Sequence, residues 1–466
     1  MGQTALVGAT IVDGRGGDPI VDGTVLIDDD RITAVGPRSA VAVPASAEVV
    51  DVSGAYVLPG LIDIHVHYFE WMGELFLAHG VTTVKDVGND VEWIATARDE
   101  VERGVATGPR IYYTGNGLDV PPPRRDHFIG IEGDEMARRV VRLLKEHGAI
   151  AIKVREMLPV ELLRPIVEEA HLLGLPVTGH LRGQMDAREA AEAGIDGLEH
   201  ASGIVQATID TWITLDLDAL EAADVYAKYV AERKAYGLIN EARAEVLIEL
   251  LAARGVALIP TMSGWWRMAT SRRDDFADED ARYADDPLLA YVPEEARSIW
   301  RTSKLYHIDD PDDLSQLHVG YGKMQRLLQH HRRAGGRLLA GSDTYLSIPG
   351  LSLQRELLFL VDAGFTPMEA ISMATHENAA FMGLDDELGA IEVGKLADLV
   401  VLDADPVAAI ENIGRVAMVV KGGRVVDTTY HADYAVPTPR PAMTRPLWVE
   451  RRLVADGYEP AGVSST

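Results

Sequence analysis

The sequence predicts an α/β protein, a (β/α)8 TIM barrel with a small β-sandwich domain built from both ends of the chain. Short apolar runs alternate with helical stretches about eight times in the middle of the chain, which is typical of a barrel. Strand-and-turn patterns occupy the beginning and return near the end. We therefore predict the sandwich in residues 1–58 and 386–466 and the barrel in residues 59–385.

The composition excludes several classes of partner. The 466 residues carry 44 Lys and Arg against 72 Asp and Glu, a net charge of −28. This charge repels phosphate backbones and anionic lipid headgroups, so we expect a small-molecule substrate, no nucleic acid and no membrane. Cysteine is absent, which excludes disulfides and thiolate ligands. Without a signal-like N-terminus or a long apolar stretch, a soluble cytoplasmic protein is expected, and a homo-oligomer stays open.

Short strands are predicted at both ends of the chain. They are rich in β-branched residues and are bounded by Gly- and Asp-rich turns. The predicted strands are 5–12, 24–28 and 31–35 near the beginning, and 399–402, 416–420 and 424–426 near the end. We expect the Pro- and Arg-rich tail after residue 435 to be a packing arm.

The middle of the chain alternates between strands and helices. Residues 160–173 have apolar side chains three and four positions apart, which predicts a helix. Eight strands are predicted, ending near His67, Asp86, Thr114, Lys153, His180, His200, Thr261 and Asp343. The longest intervals, 201–260 and 262–342, predict insertions at the C-terminal face that form lids or substrate walls.

Metal-type ligands stand at the ends of four of these strands. His65 and His67 are two positions apart, so both imidazoles project from the same side of the first strand. His180, His200 and Asp343 end three further strands. Because the strand ends of a barrel meet in one ring, these residues are expected to be neighbours. Converging imidazole and carboxylate groups predict a site for a divalent ion such as zinc.

Lys153 ends the apolar strand 148–153, where a charged side chain is unexpected. A lysine on a barrel strand can pair with a carboxylate or act as a Schiff-base amine. Its neutral amine can also add carbon dioxide and form a carbamate, whose two oxygens would bridge two cations. The residues alone leave all three interpretations open.

The combined pattern resembles the amidohydrolase superfamily over nearly the whole chain. The stretches 57–65 and 389–402 are similar to the superfamily's passages between sandwich and barrel. The stretches 366–371 and 374–379 look like the helix after strand eight in the imidazolonepropionase-related branch. The ligand set has the superfamily's order: His65, His67, Lys153, His180, His200 and Asp343.

This resemblance implies a hydrolase with a binuclear metal centre. The cofactors would be two divalent ions, zinc first, with cobalt, manganese or iron as alternatives. A metal-bridging hydroxide would attack the carbonyl of a C–N bond, and Asp343 would carry its proton to the departing nitrogen. The implied ligands are His65, His67 and Asp343 for one ion, His180 and His200 for the other, and Lys153 as a bridging N6-carboxylysine.

Residues that contact the substrate are predicted in the loops. His127 retains the histidine of a Gly-Gly-His motif typical of the related dipeptidases, but Arg125 and Asp126 stand where the two glycines would be, which disfavours dipeptide binding. Trp265 and Trp266 lie in a long insertion and are the other candidates, with packing of a lid as the alternative. Length and layout resemble bacterial phenylurea and thiocarbamate hydrolases.

The predicted substrate is a urea, carbamate or amide that is neutral and apolar or aryl. Met262, Met268 and Trp300 add apolar side chains to the same insertions, and apolar burial needs no polar partner. An Xaa-Pro-type dipeptidase or N-acyl-amino-acid hydrolase is the main alternative, with an arginine holding the carboxylate. A cyclic-amide hydrolase or deaminase and a metal-free scaffold are further alternatives. The nearby cations are single residues: Arg155, Arg182 and Arg267.

Overall fold

A computed structural model describes residues 2–209, 225–302, 306–308, 310–344, 347–434, 436, 438–442 and 446–458. The chain divides into two compact units. Unit 1 comprises Met1–Lys85, Arg98–Ile111 and Leu339–Pro437, and unit 2 comprises Asp86–Ala97, Tyr112–Leu338 and Thr438–Thr466. Each unit combines separated stretches of chain, so each depends on long-range packing.

Strands occur at both ends of the chain and throughout its middle. Those of the middle are short, and two of them contain only two residues. In the described residues the strands are β1 (Gln3–Ile11), β2 (Ile20–Asp28), β3 (Arg31–Pro37), β4 (Glu48–Asp51), β5 (Tyr56–Pro59), β6 (Leu61–Val66), β7 (Val81–Asp86), β8 (Arg110–Tyr113), β9 (Leu118–Asp119), β10 (Ile129–Gly130), β11 (Ile152–Val154), β12 (Val177–Gly179), β13 (Gly197–Glu199), β14 (Ala257–Ile259), β15 (Leu399–Leu402), β16 (Val416–Lys421) and β17 (Arg424–Val426).

An eight-stranded sheet in unit 1 joins the two ends of the chain. Its order is β17-β16-β15-β5-β1-β2-β3, and β4 pairs with β1. β15 runs antiparallel to β5 and places Leu399 opposite Pro59. Apolar side chains of these strands form one buried cluster that includes Leu6, Val57 and Leu399. Strands from opposite chain ends therefore bury each other's side chains, which stabilises the pairing.

Unit 1 also contains β6, β7 up to Lys85 and the beginning of β8, and these strands pair in that order. Every residue of β6 and β7 is buried, as is typical of strands covered on both faces. The segment 340–343 runs beside β6, because Ile64 N–H donates to the Ala340 carbonyl and Asp343 N–H donates to the His65 carbonyl at 2.9 Å.

Unit 2 contains a six-stranded parallel sheet with the order β10-β9-β11-β12-β13-β14. Parallel strands all end at the same edge of their sheet. His180 follows β12, His200 follows β13 and Thr261 lies just beyond β14, so these residues share that edge. The register also places Lys153 beside Thr178.

Helices connect these strands. Helix Val160–Leu172 buries Leu163, Ile166 and Ala170, as the spacing of its apolar residues predicts. Thr366 and Glu369 form a capping box at the beginning of helix Pro367–Met373. No helix in the described part of the chain has the length and apolar character that crossing a bilayer requires. The α-helices described are Gly73–Ala78, Val91–Glu102, Asp134–Glu146, Val160–Leu172, Ala187–Ala193, Ile204–Thr208, Val225–Tyr236, Glu241–Ala253, Met262–Trp265, Arg273–Ala284, Glu294–Thr302, Pro311–Arg333, Leu351–Asp362, Pro367–Met373, His376–Phe381 and Trp448–Ala455.

Seven of the eight strands predicted in the middle end within two residues of the predicted position. The eighth prediction is wrong, because the described residues before Asp343 form only an isolated bridge between Leu258 and Leu338. The N–H of Ser342 donates to Oδ1 of Asp63 instead of to a backbone carbonyl of β6, which interrupts a parallel ladder at this point. β9 and β10 have no counterpart in the prediction.

Candidate functional site

Two histidines and one aspartate of unit 1 come together beyond the end of β6. Nε2 of His65 and Nε2 of His67 each lie 3.5 Å from Oδ1 of Asp343. The imidazole rings are 5.7 Å apart and nearly perpendicular. His65 is fully buried, whereas His67 and Asp343 are partly exposed. We call these three side chains the first ligand group.

The spacing in the first ligand group suits the ligands of one cation better than hydrogen bonds. An N–H···O hydrogen bond is about 2.7–3.2 Å long, which is shorter than the 3.5 Å found here. Two ligand atoms that lie about 2.1 Å from a tetrahedral zinc ion are about 3.4 Å apart. Imidazole nitrogen and carboxylate oxygen are also donors that zinc accepts. Each histidine therefore lies at the distance from Asp343 that two ligands of one divalent ion have.

Asp63 holds the backbone of the first ligand group. Its Oδ1 accepts hydrogen bonds from the N–H groups of His65 at 3.2 Å and Ser342 at 3.0 Å, and its Oδ2 accepts one from the Ser342 hydroxyl. Burial raises the pKa of Asp63 to about 7, although these hydrogen bonds act in the opposite direction. One carboxylate thus connects the strand that carries His65 with the segment that ends at Asp343.

A second ligand group lies in unit 2 and consists of Lys153, His180 and His200. The two imidazole rings are 4.5 Å apart. Nδ1 of His200 lies 2.7 Å from Oγ1 of Thr261, whose hydroxyl donates to the Pro260 carbonyl. With the hydroxyl proton directed at the Pro260 carbonyl, Oγ1 accepts the hydrogen bond from Nδ1–H of His200. The lone pair of His200 is then on Nε2, as in metal-ligating histidines whose other nitrogen is anchored.

Lys153 is fully buried and forms an ion pair with Glu199, which is fully buried as well. The second carboxylate oxygen of Glu199 accepts a hydrogen bond from the Thr178 hydroxyl at 2.9 Å. Of the three interpretations of Lys153, the unmodified side chain therefore fits the ion pair with a carboxylate. A carbamate requires the amine to give up its proton, so this ion pair opposes the modification.

A cleft of unit 2, about 500 Å³ including the space open to solvent, lies beside these histidines. His180, His200, Arg182 and Glu232 contribute to its lining. The indole ring of Trp265 stacks on His200 at 4.5 Å and meets His180 edge-on at 5.5 Å. The cleft therefore offers an aromatic wall directly beside two candidate metal ligands.

Arg182 lies in this cleft between two carboxylates. Its guanidinium nitrogens are 2.7 Å from Glu156 and 2.6 Å from Glu232. Arg155 lies 3.6 Å from Glu156 and stacks over the ring of Phe128 at 4.6 Å. Both arginines therefore have acidic partners inside the protein, which reduces the attraction they can exert on a bound carboxylate.

The apolar residues of the long insertions mostly pack within unit 2. Trp266 is 1% exposed and meets Tyr236 edge-on at 5.3 Å, although it also lines the cleft. Met262, Met268 and Trp300 are buried and do not belong to the described lining of the cleft. These three side chains therefore pack inside the protein, and their contact with a substrate stays a prediction.

His127 lies in the loop before β10 and is half-buried. Its ring meets Phe128 edge-on at 4.6 Å, and its Nδ1 is 3.1 Å from Arg440. It is not part of the described lining of the cleft. Among the predicted residues of unit 2, the cleft brings together His180, His200, Trp265 and Trp266.

The sequence profile of the amidohydrolase family matches residues 56–426, which is most of the chain. The chain belongs to the amidohydrolase family. This amidohydrolase is therefore a hydrolytic enzyme that acts on C–N bonds. Members of the family usually bind divalent metal, which agrees with the donor atoms and spacing of the first ligand group.

Relatives resemble the amidohydrolase over nearly its full length. The imidazolonepropionase of Sphingopyxis alaskensis is 26% identical over 414 residues, which cover 85% of this chain and 90% of the relative. The structure of a candidate prolidase from Bifidobacterium longum has a TM-score of 0.65 at 27% identity and covers 91% of this chain and 94% of its own. Molinate hydrolase has a TM-score of 0.65 at 22% identity, with coverage of 95% and 98%. These neighbours imply a TIM barrel with an additional domain.

Four supporting residues of the amidohydrolase were not predicted: Asp63, Glu156, Glu199 and Thr261. Asp63 had a signal in the sequence, because it lies two positions before His65 on the same side of the strand. Glu199 is a carboxylate within an otherwise apolar strand end, which is also unusual. Glu156 lies 3.7 Å from Nδ1 of His180, and Thr261 lies 2.7 Å from Nδ1 of His200. Both contacts depend on the fold and have no signal in the sequence.

Proposed function

We propose that this amidohydrolase is a binuclear metal-dependent enzyme that cleaves the C–N bond of a neutral urea, carbamate or amide with an apolar or aryl substituent. When bound, two divalent ions, zinc first, would supply Lewis-acid activation of water and of the substrate carbonyl. Lys153 would serve as N6-carboxylysine. The proposed ligands are His65, His67, Lys153, His180, His200 and Asp343.

The observation that carries this proposal is the position of two imidazole nitrogens around one oxygen of Asp343, 3.5 Å from each. Histidines that only hydrogen-bond to a structural carboxylate lie closer. The proton that Thr261 keeps on Nδ1 of His200 supports the same assignment, because it leaves the Nε2 lone pair for a cation.

Asp343 would handle the proton of the reaction. Its partly exposed carboxylate would accept a proton from the attacking water and return it to the departing nitrogen. An amine leaves readily only after that nitrogen is protonated, so the group that accepts the proton also has to deliver it. His65 and His67 would keep the carboxylate oriented between these two transfers.

The carbamate on Lys153 would replace the ion pair with Glu199. Addition of carbon dioxide to the neutral amine forms an N–C bond, releases one proton and leaves an anion next to a buried carboxylate. Two neighbouring buried anions are stable only near cations. The modification and the metal content should therefore rise and fall together.

The preference for a neutral substrate is supported by the ion pairs in the cleft. Arg182 lies between Glu156 and Glu232, so the arginine that could bind a substrate carboxylate already faces two negative charges. Trp265 contributes an aromatic wall next to His200. Apolar burial against such a wall supplies about 25 cal/mol per Å² without any charged partner.

The test combines metal analysis with two matched substrates. After purification in zinc-supplemented buffer we expect about two metal ions per chain, as the two ligand groups require. We also expect kcat/KM for a neutral anilide to exceed that for the matching N-acyl amino acid by about tenfold or more, or 1.4 kcal/mol. Fewer than one ion per chain would favour a metal-free scaffold.

The variant Glu232→Gln examines the substrate preference separately. It removes one carboxylate partner of Arg182, so KM for the N-acyl amino acid should fall while KM for the anilide changes little. Glu241→Gln is the matched control, because Glu241 pairs with Arg326 on the surface. An unchanged ratio of the two KM values would show that Arg182 does not influence the preference between charged and neutral substrates.

A dipeptidase or N-acyl-amino-acid hydrolase is the second candidate. It is favoured by the 27% identity to the candidate prolidase from Bifidobacterium longum. In that case an arginine such as Arg182 would release one of its carboxylate partners inside the protein and pair with the carboxylate of the substrate. A preference of about tenfold for the acid over the anilide would decide for this candidate.

The remaining proposals concern the domain organisation, the partners and the cellular location of the protein. We propose that a TIM-type barrel lies within residues 59–385, and that residues 1–58 and 386–466 supply the sandwich and the C-terminal arm. The substrate would be a small molecule, with neither nucleic acid nor a membrane as a partner, because the net charge is −28. We further propose a cytoplasmic location.

A further inference from the structure

The arm after residue 437 reaches the loop that carries His127. Nη2 of Arg440 lies 3.1 Å from Nδ1 of His127. The guanidinium of Arg440 also lies over the indole ring of Trp93, 5.9 Å from its centroid. The indole N–H of Trp93 donates to the carbonyl of Thr438 at 3.2 Å. Trp93 therefore holds both the side chain of Arg440 and the backbone of the arm.

The contact with Arg440 decides which nitrogen of His127 carries the proton. A guanidinium has only donors and stays charged at any pH that the protein tolerates. Nδ1 must therefore accept, so the single proton of the neutral imidazole is on Nε2. In the described part of the chain, Nε2 makes no hydrogen bond of its own.

The surroundings of His127 keep the ring neutral and oriented. Burial together with the positive charges of Arg440, Arg155 and Arg125 lowers the pKa of His127 to about 3. Asn116 donates from its side-chain amide to the carbonyl of His127 at 2.8 Å. The loop backbone and the imidazole are therefore both held, and the ring is a donor rather than a cation.

A continuous set of contacts connects this imidazole with the second ligand group. His127 meets Phe128 edge-on, Arg155 stacks on Phe128, and Arg155 lies 3.6 Å from Glu156. Glu156 in turn lies 3.7 Å from Nδ1 of His180. The loop of His127 thus belongs to the part of unit 2 that surrounds the candidate ligands.

We propose that Arg440 is a positioning residue that fixes His127 as an Nε2–H donor to the substrate. The inference rests on the proposed function, in which a substrate carbonyl or its heteroatom accepts this hydrogen bond. Arg440 itself does not touch the substrate. The C-terminal arm therefore helps to recognise the substrate, in addition to its packing role.

The test measures the tautomer and the activity separately. The full chain with ¹⁵N-labelled histidine is examined by long-range ¹H–¹⁵N correlation NMR, and the His127 signals are assigned by their loss in His127→Gln. We expect the Nε2–H form in the unsubstituted protein, a mixture of both tautomers in Arg440→Met, and recovery of the Nε2–H form in Arg440→Lys, which keeps a cationic donor.

Arg451→Met is the matched control, because Arg451 lies on the same arm but pairs with Glu92. Its spectrum should show His127 unchanged. A proton on Nδ1 of His127 in the unsubstituted protein, or an unaltered His127 signal in Arg440→Met, would overturn the proposal. Neither result depends on which substrate the enzyme hydrolyses, so failure of the proposed function is recognised separately.

The activity arm uses kcat/KM for the preferred substrate of the panel. Arg440→Met should lower it about three- to tenfold, the value of one hydrogen bond, and Arg440→Lys should restore most of it. In His127→Gln the further change Arg440→Met should have little effect, because both substitutions remove the same contact. Full activity of Arg440→Met with a changed tautomer would show that the substrate does not use His127.

Discussion

The two ligand groups differ in how their side chains are engaged. In the first, His65 and His67 face one oxygen of Asp343 at the distance that separates ligands on a single cation. In the second, Lys153 pairs with Glu199, and His200 is anchored by Thr261. The first group already has the spacing of a metal site, whereas the second requires a chemical change at Lys153.

The difference indicates how the two groups depend on each other. A lysine ammonium on β11, next to the strand that precedes His180, would repel a cation, and its ion pair with Glu199 is formed by the ammonium. Once the amine becomes a carbamate, the same position attracts cations. Metal binding at the second group and modification of Lys153 should therefore be coupled, while the first group depends mainly on its own geometry.

The variant Lys153→Ala should have the largest effect. We expect loss of metal from the second group together with loss of activity, and partial recovery of both on addition of short carboxylic acids that replace the carbamate. Metal content by plasma mass spectrometry and turnover are the measurements. Full metal content with unchanged turnover would contradict the coupling between the groups.

Asp343→Asn examines the first group. Asparagine keeps the size and one oxygen and tolerates the positive φ of 54° at this position, but it cannot accept a proton at neutral pH. Turnover should fall by about 10²–10⁴, the usual contribution of a positioned acid–base group. Metal content should be largely retained. Normal turnover would mean that Asp343 acts only as a ligand and that another group accepts the proton.

Thr261→Val sharpens the comparison at the second group. Valine has the same shape but cannot accept the hydrogen bond from Nδ1 of His200. Because such anchors orient metal-ligating histidines, zinc affinity should fall about 10–100-fold. Competition with a chelator measures this affinity, and Thr261→Ser, which retains the hydroxyl, is the control. Equal affinities of the two variants would exclude an anchoring role.

Lys85→Met compares Lys153 with another fully buried lysine. Lys85, in unit 1, lies 5.6 Å from the ring centroid of Phe381, and burial lowers its pKa to about 7. The unfolded chain binds this proton more tightly, so the free energy of unfolding rises with pH between about 7 and 10.5. Below pH 7 the variant should be more stable by roughly 3 kcal/mol, after allowance for the lost cation–π contact.

Urea denaturation at several pH values measures this effect. The advantage of Lys85→Met should decrease as the pH increases and should be absent above pH ~10.5, where Lys85 is neutral in both the folded and the unfolded chain. Metal content should not change, which makes this variant the matched control for Lys153→Ala. A stability difference that is independent of pH would mean that the charge of Lys85 is not its cause.

Much of the architecture followed from local patterns. The strands Leu399–Leu402 and Arg424–Val426 have the predicted boundaries, and helix Val160–Leu172 ends one residue before its prediction. Periodicity of apolar residues is a local property, so such elements can be identified without tertiary information. The prediction of the eighth strand was wrong because the N–H of Ser342 donates to the side chain of Asp63, 279 positions away in the chain, and no local pattern reveals that contact.

The sequence by itself determined the family and the identity of the candidate ligands, because His, Lys and Asp side chains at strand ends form a pattern that residue types and spacing define. Only the tertiary structure decided their partners. Glu199 reaches Lys153, Thr261 reaches His200 and Arg440 reaches His127 across 46, 61 and 313 positions of the chain. Such contacts depend on strand register and on the path of the arm, which no local pattern encodes.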